Sequence, residues 1–172
     1  MKNNKTIKNL TVAIFIIANC LLFLSIGINC HAQSWKTYPY HEPGSVIWFP
    51  EDEGWHPGVA AEWWYTTAHL TGVSTGTEYS FMLTYFYFPV FPFDGFRIFN
   101  IANETTGEFF QDFQLCTYVL AQDHLDIQAM VGITPEEWVT LKDNAGVLIP
   151  FEYHLSAHSP DGDIDLVYDM VK

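Results

Sequence analysis

The densest collection of groups able to do chemistry lies between Asp52 and His69. Asp52 and His56 sit on an acidic loop, Glu62 is followed directly by Trp63, Trp64 and Tyr65, and His69 comes four residues later. Adding water across an isolated alkene needs a strong proton donor beside an apolar pocket whose rings steady a developing carbocation. Glu62 among Trp63, Trp64 and Tyr65 has those parts, with Asp52 and His56 as groups at a pocket mouth. A plainer reading is favoured for each. Arg97, the one Arg of the chain, stands in the aromatic segment Phe96-Arg97-Ile98-Phe99. A buried Glu62–Arg97 pair would keep the carboxylate ionised and useless as an acid. Loop acids beside Gly54 and Pro57 belong to turns. His69, on the same strand face as Tyr65, reads as a hydrogen-bonded core histidine.

Other chemistries find little support. Cys116 has no pattern nearby to supply a base, so it reads as a buried, inert thiol within a strand. Asp161-Gly162-Asp163-Ile164-Asp165 alternates acids like a calcium loop, but Leu166 stands where the sixth-position Gly is needed and Lys172 where the bidentate Glu would be. Paired His at metal spacing, a Gly-rich phosphate loop and a Gly-x-Ser-x-Gly elbow are all missing. No metal and no cofactor is expected.

Charge and targeting narrow the classes further. Seven cations face twenty acids, a net charge of -13, which excludes a surface built to grip nucleic acid. Lys2, Lys5 and Lys8 precede an apolar run from Leu10 to Ile28, and small residues flank a cut after Ala32, so residues 1–32 read as an export signal. Asn19, Ser25 and Gly27 interrupt the run, which argues against a retained membrane anchor. The domain expected after cleavage is 33–172, periplasmic or secreted and without stable membrane insertion. It carries Lys36, Arg97, Lys142 and Lys172 against all twenty carboxylates, a net charge of -16.

The elements that must hold these residues are strands. Val, Thr, Tyr, Phe and Trp are enriched, and no dozen-residue stretch has helical period. Eight strands are expected, over 62–70, 79–88, 96–102, 109–120, 125–131, 137–141, 151–157 and 163–171, in an up-and-down antiparallel sheet that curls toward a barrel. Thr134-Pro135-Glu136-Glu137 offers a short helix start instead, with Thr134 as cap. The two strongest strands carry rings on both faces: Trp64 alternates with Trp63 and Tyr65, and Phe81 and Tyr85 with Phe86 and Phe88. A barrel needs only its inner face apolar, so a partner is expected to cover the outer one.

The segment Phe49-Pro50-Glu51-Asp52-Glu53-Gly54-Trp55-His56-Pro57, followed by Glu62-Trp63-Trp64-Tyr65 and His69-Leu70, resembles the lipocalin-like family of carotenoid 1,2-hydratases and AttH-type exported proteins. The resemblance runs from about Ile47 onward and implies two consecutive lipocalin-like β-barrels with a ligand pocket near their junction. The chain then corresponds to the first barrel, and its partner is a missing C-terminal domain or a homodimer mate. The acid-bearing segment associated with the family's hydratases lies in the second half and has no counterpart here, so fold transfers more readily than catalysis. The expectation is a domain binding a long apolar molecule, polyene, isoprenoid or lipid-like. Glu62, His56 and Asp52 are its candidate catalytic groups for cofactor-free hydration, and Trp63, Trp64, Tyr65, His69 and Arg97 its candidate ligand contacts. The alternative is a non-catalytic periplasmic carrier or interaction module of the same fold.

Overall fold

In the computed structural model residues 35–171 are described, and those from Lys36 onward belong to one compact unit. The expected export signal over 1–32 lies outside the described residues. Ten strands follow in chain order: β1 (Tyr40–His41), β2 (Trp48–Phe49), β3 (Glu62–Thr71), β4 (Glu78–Val90), β5 (Phe93–Asn103), β6 (Glu108–Leu120), β7 (Asp126–Val131), β8 (Thr134–Lys142), β9 (Leu148–Ser159) and β10 (Gly162–Asp169). Strands β3 to β10 form one antiparallel sheet in strict sequential order, curled into a half-barrel with β3 and β10 as its edges. The eight expected strands are all present within a few residues of their expected limits.

Turn chemistry sets this meander. Between β3 and β4, the Gly72 N–H donates to the Thr77 carbonyl at 2.8 Å and Gly76 takes φ +66°. Between β5 and β6 the Asn103 side chain accepts from the N–H groups of Thr105 and Thr106, each at 3.1 Å. Asp143 does the same for Ala145 and Val147 between β8 and β9. Such local bonds replace ladder bonds where the chain reverses.

The expected helix at 134–137 is not formed. Val131 pairs with Thr134 and Met130 with Pro135, so Gly132-Ile133 is a two-residue hairpin turn, with Gly132 at φ +62°. A β-turn this tight carries the chain straight into β8 and leaves no room for a cap. Pro135 has no N–H to give, and the β8–β9 ladder runs from Glu137 onward, opposite Ser156. The N–H of His158 donates instead to the Glu136 carboxylate at 3.1 Å.

Alternation divides the strands as expected. Trp64, Leu83, Tyr85, Arg97, Phe99, Cys116, Glu136 and Trp138 point inward, and Trp63, Tyr65, Met82, Phe86, Phe96 and Phe113 outward. Side chains tie opposite walls together: Tyr85 of β4 donates to Glu136 of β8 at 2.9 Å, and Arg97 of β5 to the His158 carbonyl of β9 at 2.9 Å. A Cβ on Gly95 would fall 1.8 Å from the Phe86 carbonyl oxygen, so only glycine lets β4 and β5 approach where the β4 register slips between Tyr87 and Val90.

The segment before β3 closes one end of the half-barrel. Tyr38, Tyr40 and Phe49 surround Phe151, with ring centroids 5.0, 5.8 and 5.3 Å away. The Trp55 N–H donates to the Ala121 carbonyl at 2.7 Å, and the short helical turn Glu51–Glu53 carries Glu53 to the hydroxyls of Tyr38 and Tyr153. Trp64 fixes this plug from within, donating its indole N–H to the Glu53 carbonyl at 3.0 Å.

Candidate functional site

The sequence-derived residues separate into three places. Asp52, His56 and Glu62 come together at the foot of β3, because the plug turns back there. The His56 Nδ1 lies 2.5 Å from Glu62 Oε1, its backbone N–H donates to Glu62 Oε2 at 3.0 Å, and its Nε2 lies 3.4 Å from Asp52 Oδ1. The hydrogen bond to Glu62 is the largest cause of a His56 pKa raised above 6.5, and Asp52 adds to it. Asp52 also caps the plug, accepting from the Trp48 N–H. Both Glu62 oxygens are thus engaged by His56.

The expected Glu62–Arg97 pair is not formed. Arg97, on β5, sits two strands further along the meander in an interior cluster, where its Nη2 lies 2.8 Å from Asp112 and 3.2 Å from Glu136. Glu62 shares the inner face with Asp112 and Glu136 but is taken up by His56 at the plugged end, while the curl of the sheet brings Asp112 of β6 and Glu136 of β8 to Arg97. His69 is also corrected. It faces outward opposite Ser80 and is exposed, since the face it shares with Tyr65 is the outer one. Of the aromatic trio, Trp64 faces the interior, and Trp63 and Tyr65 are 58% and 64% exposed on the outer wall.

Two cavities open at the unplugged end, where the β3–β4, β5–β6, β7–β8 and β9–β10 hairpins lie. The first, of about 450 Å³, is lined mainly by Leu70, Tyr79, Phe81, Ile101, Phe110 and Ile164. The second, of about 340 Å³, is polar and includes Arg97, Asp112, Gln114, Ile133, Thr134 and His158. The β9–β10 turn contributes to both. Its His158 carbonyl is held by Arg97, and its Gly162 lies against Ile101, where a Cβ would fall 3.3 Å from the Ile101 methyl. Leu70 and Glu62 are eight residues apart on β3, so the first cavity is about 26 Å from the Asp52–His56–Glu62 cluster.

Three interior carboxyls, Glu136, Glu53 and the Arg97 partner Asp112, escaped sequence reasoning. Glu136 accepts from Tyr85 and the His158 N–H beside Arg97, and burial, outweighing Arg97, raises its pKa above 4.5. Glu53 is raised likewise by burial among Tyr153 and Tyr38. The alternation Glu136, Trp138, Thr140 carried the signal for the first, since all three face inward from one strand. Cys116 is buried, and burial pushes its thiol up to about 11, which suits an inert group. Among the described residues no group of three or more His, Cys, Asp or Glu is arranged to hold a metal ion. No protein-family model matches the chain, and comparison with curated proteins and with solved structures returns no match.

Proposed function

We propose that the chain is an exported lipocalin-like module of the carotenoid 1,2-hydratase and AttH type that holds a long apolar ligand, with its apolar chain in the 450 Å³ cavity at the open end of the curled sheet. That cavity carries the reading. It is concave, rimmed by hairpins and walled by Leu70, Phe81, Ile101 and Phe110, with Ser80, Asn103, Asp161 and Asp163 as its polar lining. Burying apolar ligand surface there is favoured by about 25 cal/mol for each Å² removed from water. Incubation of the purified protein with an acyclic carotenoid is the test. Co-elution of pigment with protein, lost when Ile101→Trp fills the cavity, is the expected result, and absence of bound pigment from the unaltered protein removes the reading.

Cofactor-free acid hydration is a second reading, favoured by one observation: Glu136, a carboxyl whose pKa burial raises above the ordinary 4.5, stands inside the sheet next to Arg97. The Asp52–His56–Glu62 cluster enters the reaction only for a ligand that reaches the plugged end. A hydroxylated product beside the bound pigment supports hydration, and pigment unchanged supports a carrier. In either case a partner domain or second copy covering the outer aromatic wall belongs to the same proposal.

A further inference from the structure

The guanidinium of Arg97 is 1% exposed, and its bonds are oddly distributed. All three acceptors, Asp112 Oδ2, Glu136 Oε1 and the His158 carbonyl, lie around Nη2, which has two hydrogens. Nε and Nη1, with three N–H bonds between them, have no partner in the protein. Three unmet donors on a buried cation are costly, and Arg97 lines a cavity of about 340 Å³, although Nε and Nη1 themselves are closed to solvent, so an acceptor in that cavity meets them only as the neighbouring side chains give way.

The charges around that cavity decide what kind of acceptor fits. Asp112 and Glu136 already face the single positive charge, so a further carboxylate or phosphate would place three anionic groups around one cation in a chain that carries twenty acids. An ammonium group would meet three N–H bonds that it cannot accept from. A neutral oxygen with free lone pairs satisfies the donors without adding charge. We infer that the Arg97 cavity receives a neutral carbonyl or hydroxyl oxygen at the polar end of the apolar ligand, and that Arg97 is what selects an oxygenated molecule over a hydrocarbon. The inference rests on the apolar-ligand reading of the neighbouring cavity. The two cavities draw on the same inner faces of β5 and β6, with Arg97 and Asp112 lining one and Ile101 and Phe110 the other, and buried Phe99 lying between Arg97 and Ile101 on β5.

Displacement of the neutral dye Nile red from the chain by dodecan-2-one, dodecane and dodecanoate tests it at neutral pH. The ketone is expected to bind about tenfold or more tightly than the alkane, because hydrogen bonds to a charged donor are stronger than most, and the carboxylate to bind more weakly than the ketone. The infrared carbonyl stretch of the bound ketone is expected to fall relative to its value in alkane solvent. Ile133→Trp, at an exposed turn residue lining this cavity, should bring the ketone to the alkane's affinity without unfolding the sheet. Equal affinity of ketone and alkane, or an unshifted stretch, overturns this inference and leaves apolar binding intact. Tightest binding by dodecanoate also overturns it, in favour of an anion site. Failure of all three to displace the dye removes the apolar-ligand reading and this inference with it.

Discussion

Arg97 is held by carboxylates from two other strands, and the consequence is a stability prediction about single and joint replacement. Arg97→Met leaves Asp112 and Glu136 facing each other with no cation and should cost on the order of 3–5 kcal/mol. Replacing all three by apolar residues of similar volume should recover much of that, as read by urea unfolding. At His56 the sign is set by a raised folded-state pKa. Its imidazolium contributes stability that is complete below about 6.5 and disappears as pH rises through the folded value. An NMR titration should place His56 above the ordinary histidine value, and Glu62→Gln should bring it back down. Glu53 behaves alike for a different reason, since burial raises a carboxyl whose ordinary value is 4.5. The unaltered protein should therefore lose stability relative to Glu53→Gln as pH climbs from below 4.5 through the raised value. Parallel stabilities of the two across that window would mean that Glu53 is solvated.

At the scale of elements, the plug depends on one residue that has no side chain. A Cβ on Gly54 would fall 2.6 Å from the backbone carbon and oxygen of Gln122, so the turn Glu51–Glu53 and the β6–β7 connection touch backbone to backbone. Gly54→Ala should push them apart, cost about 1–3 kcal/mol as overpacking does, and speed amide exchange at Trp55, whose N–H bonds Ala121. The strands and most hairpins were legible in the sequence because alternation and turn residues are local signals. Thr134-Pro135-Glu136-Glu137 misled because cap-like residues also suit the exit of a tight turn, and the decisive pairing of Val131 with Thr134 is set by Gly132 upstream. Asp52, His56 and Glu62 were legible as a group for the same local reason. The Arg97 cluster was not: Asp112 and Glu136 come from strands 15 and 39 positions away, and only the curl of the sheet decides which inward carboxylate meets which inward cation.

Across the whole molecule the apolar surface is distributed unevenly. Phe86 stacks on Phe96 at 4.6 Å, Phe96 meets Phe113 at 5.1 Å and Trp63 lies 6.3 Å from Phe86, so four rings cross β3 to β6 in a continuous row on the outer wall. Tyr65, Leu115 and Phe109 extend it, and Phe109 and Phe113 are 62% and 55% exposed. The outer wall of β8 to β10 is opposite in character, with His154 bridging Glu137 and Asp165. A single strongly acidic chain carrying such a wall has a solvated side and a side that loses free energy by staying wet. Repulsion between chains of net charge -13 opposes self-association and weakens as salt screens it, whereas apolar contact does not. Sedimentation of the protein should therefore show association, or strong binding of a hydrophobic dye, that grows from low to high salt. Trp63→Ser with Phe113→Ser, both at exposed outward positions, should abolish it while leaving the far-ultraviolet spectrum unchanged. A monomer silent to the dye at every salt concentration would show that the ring row is tolerated in water, and the proposal of a covering partner would fall with it.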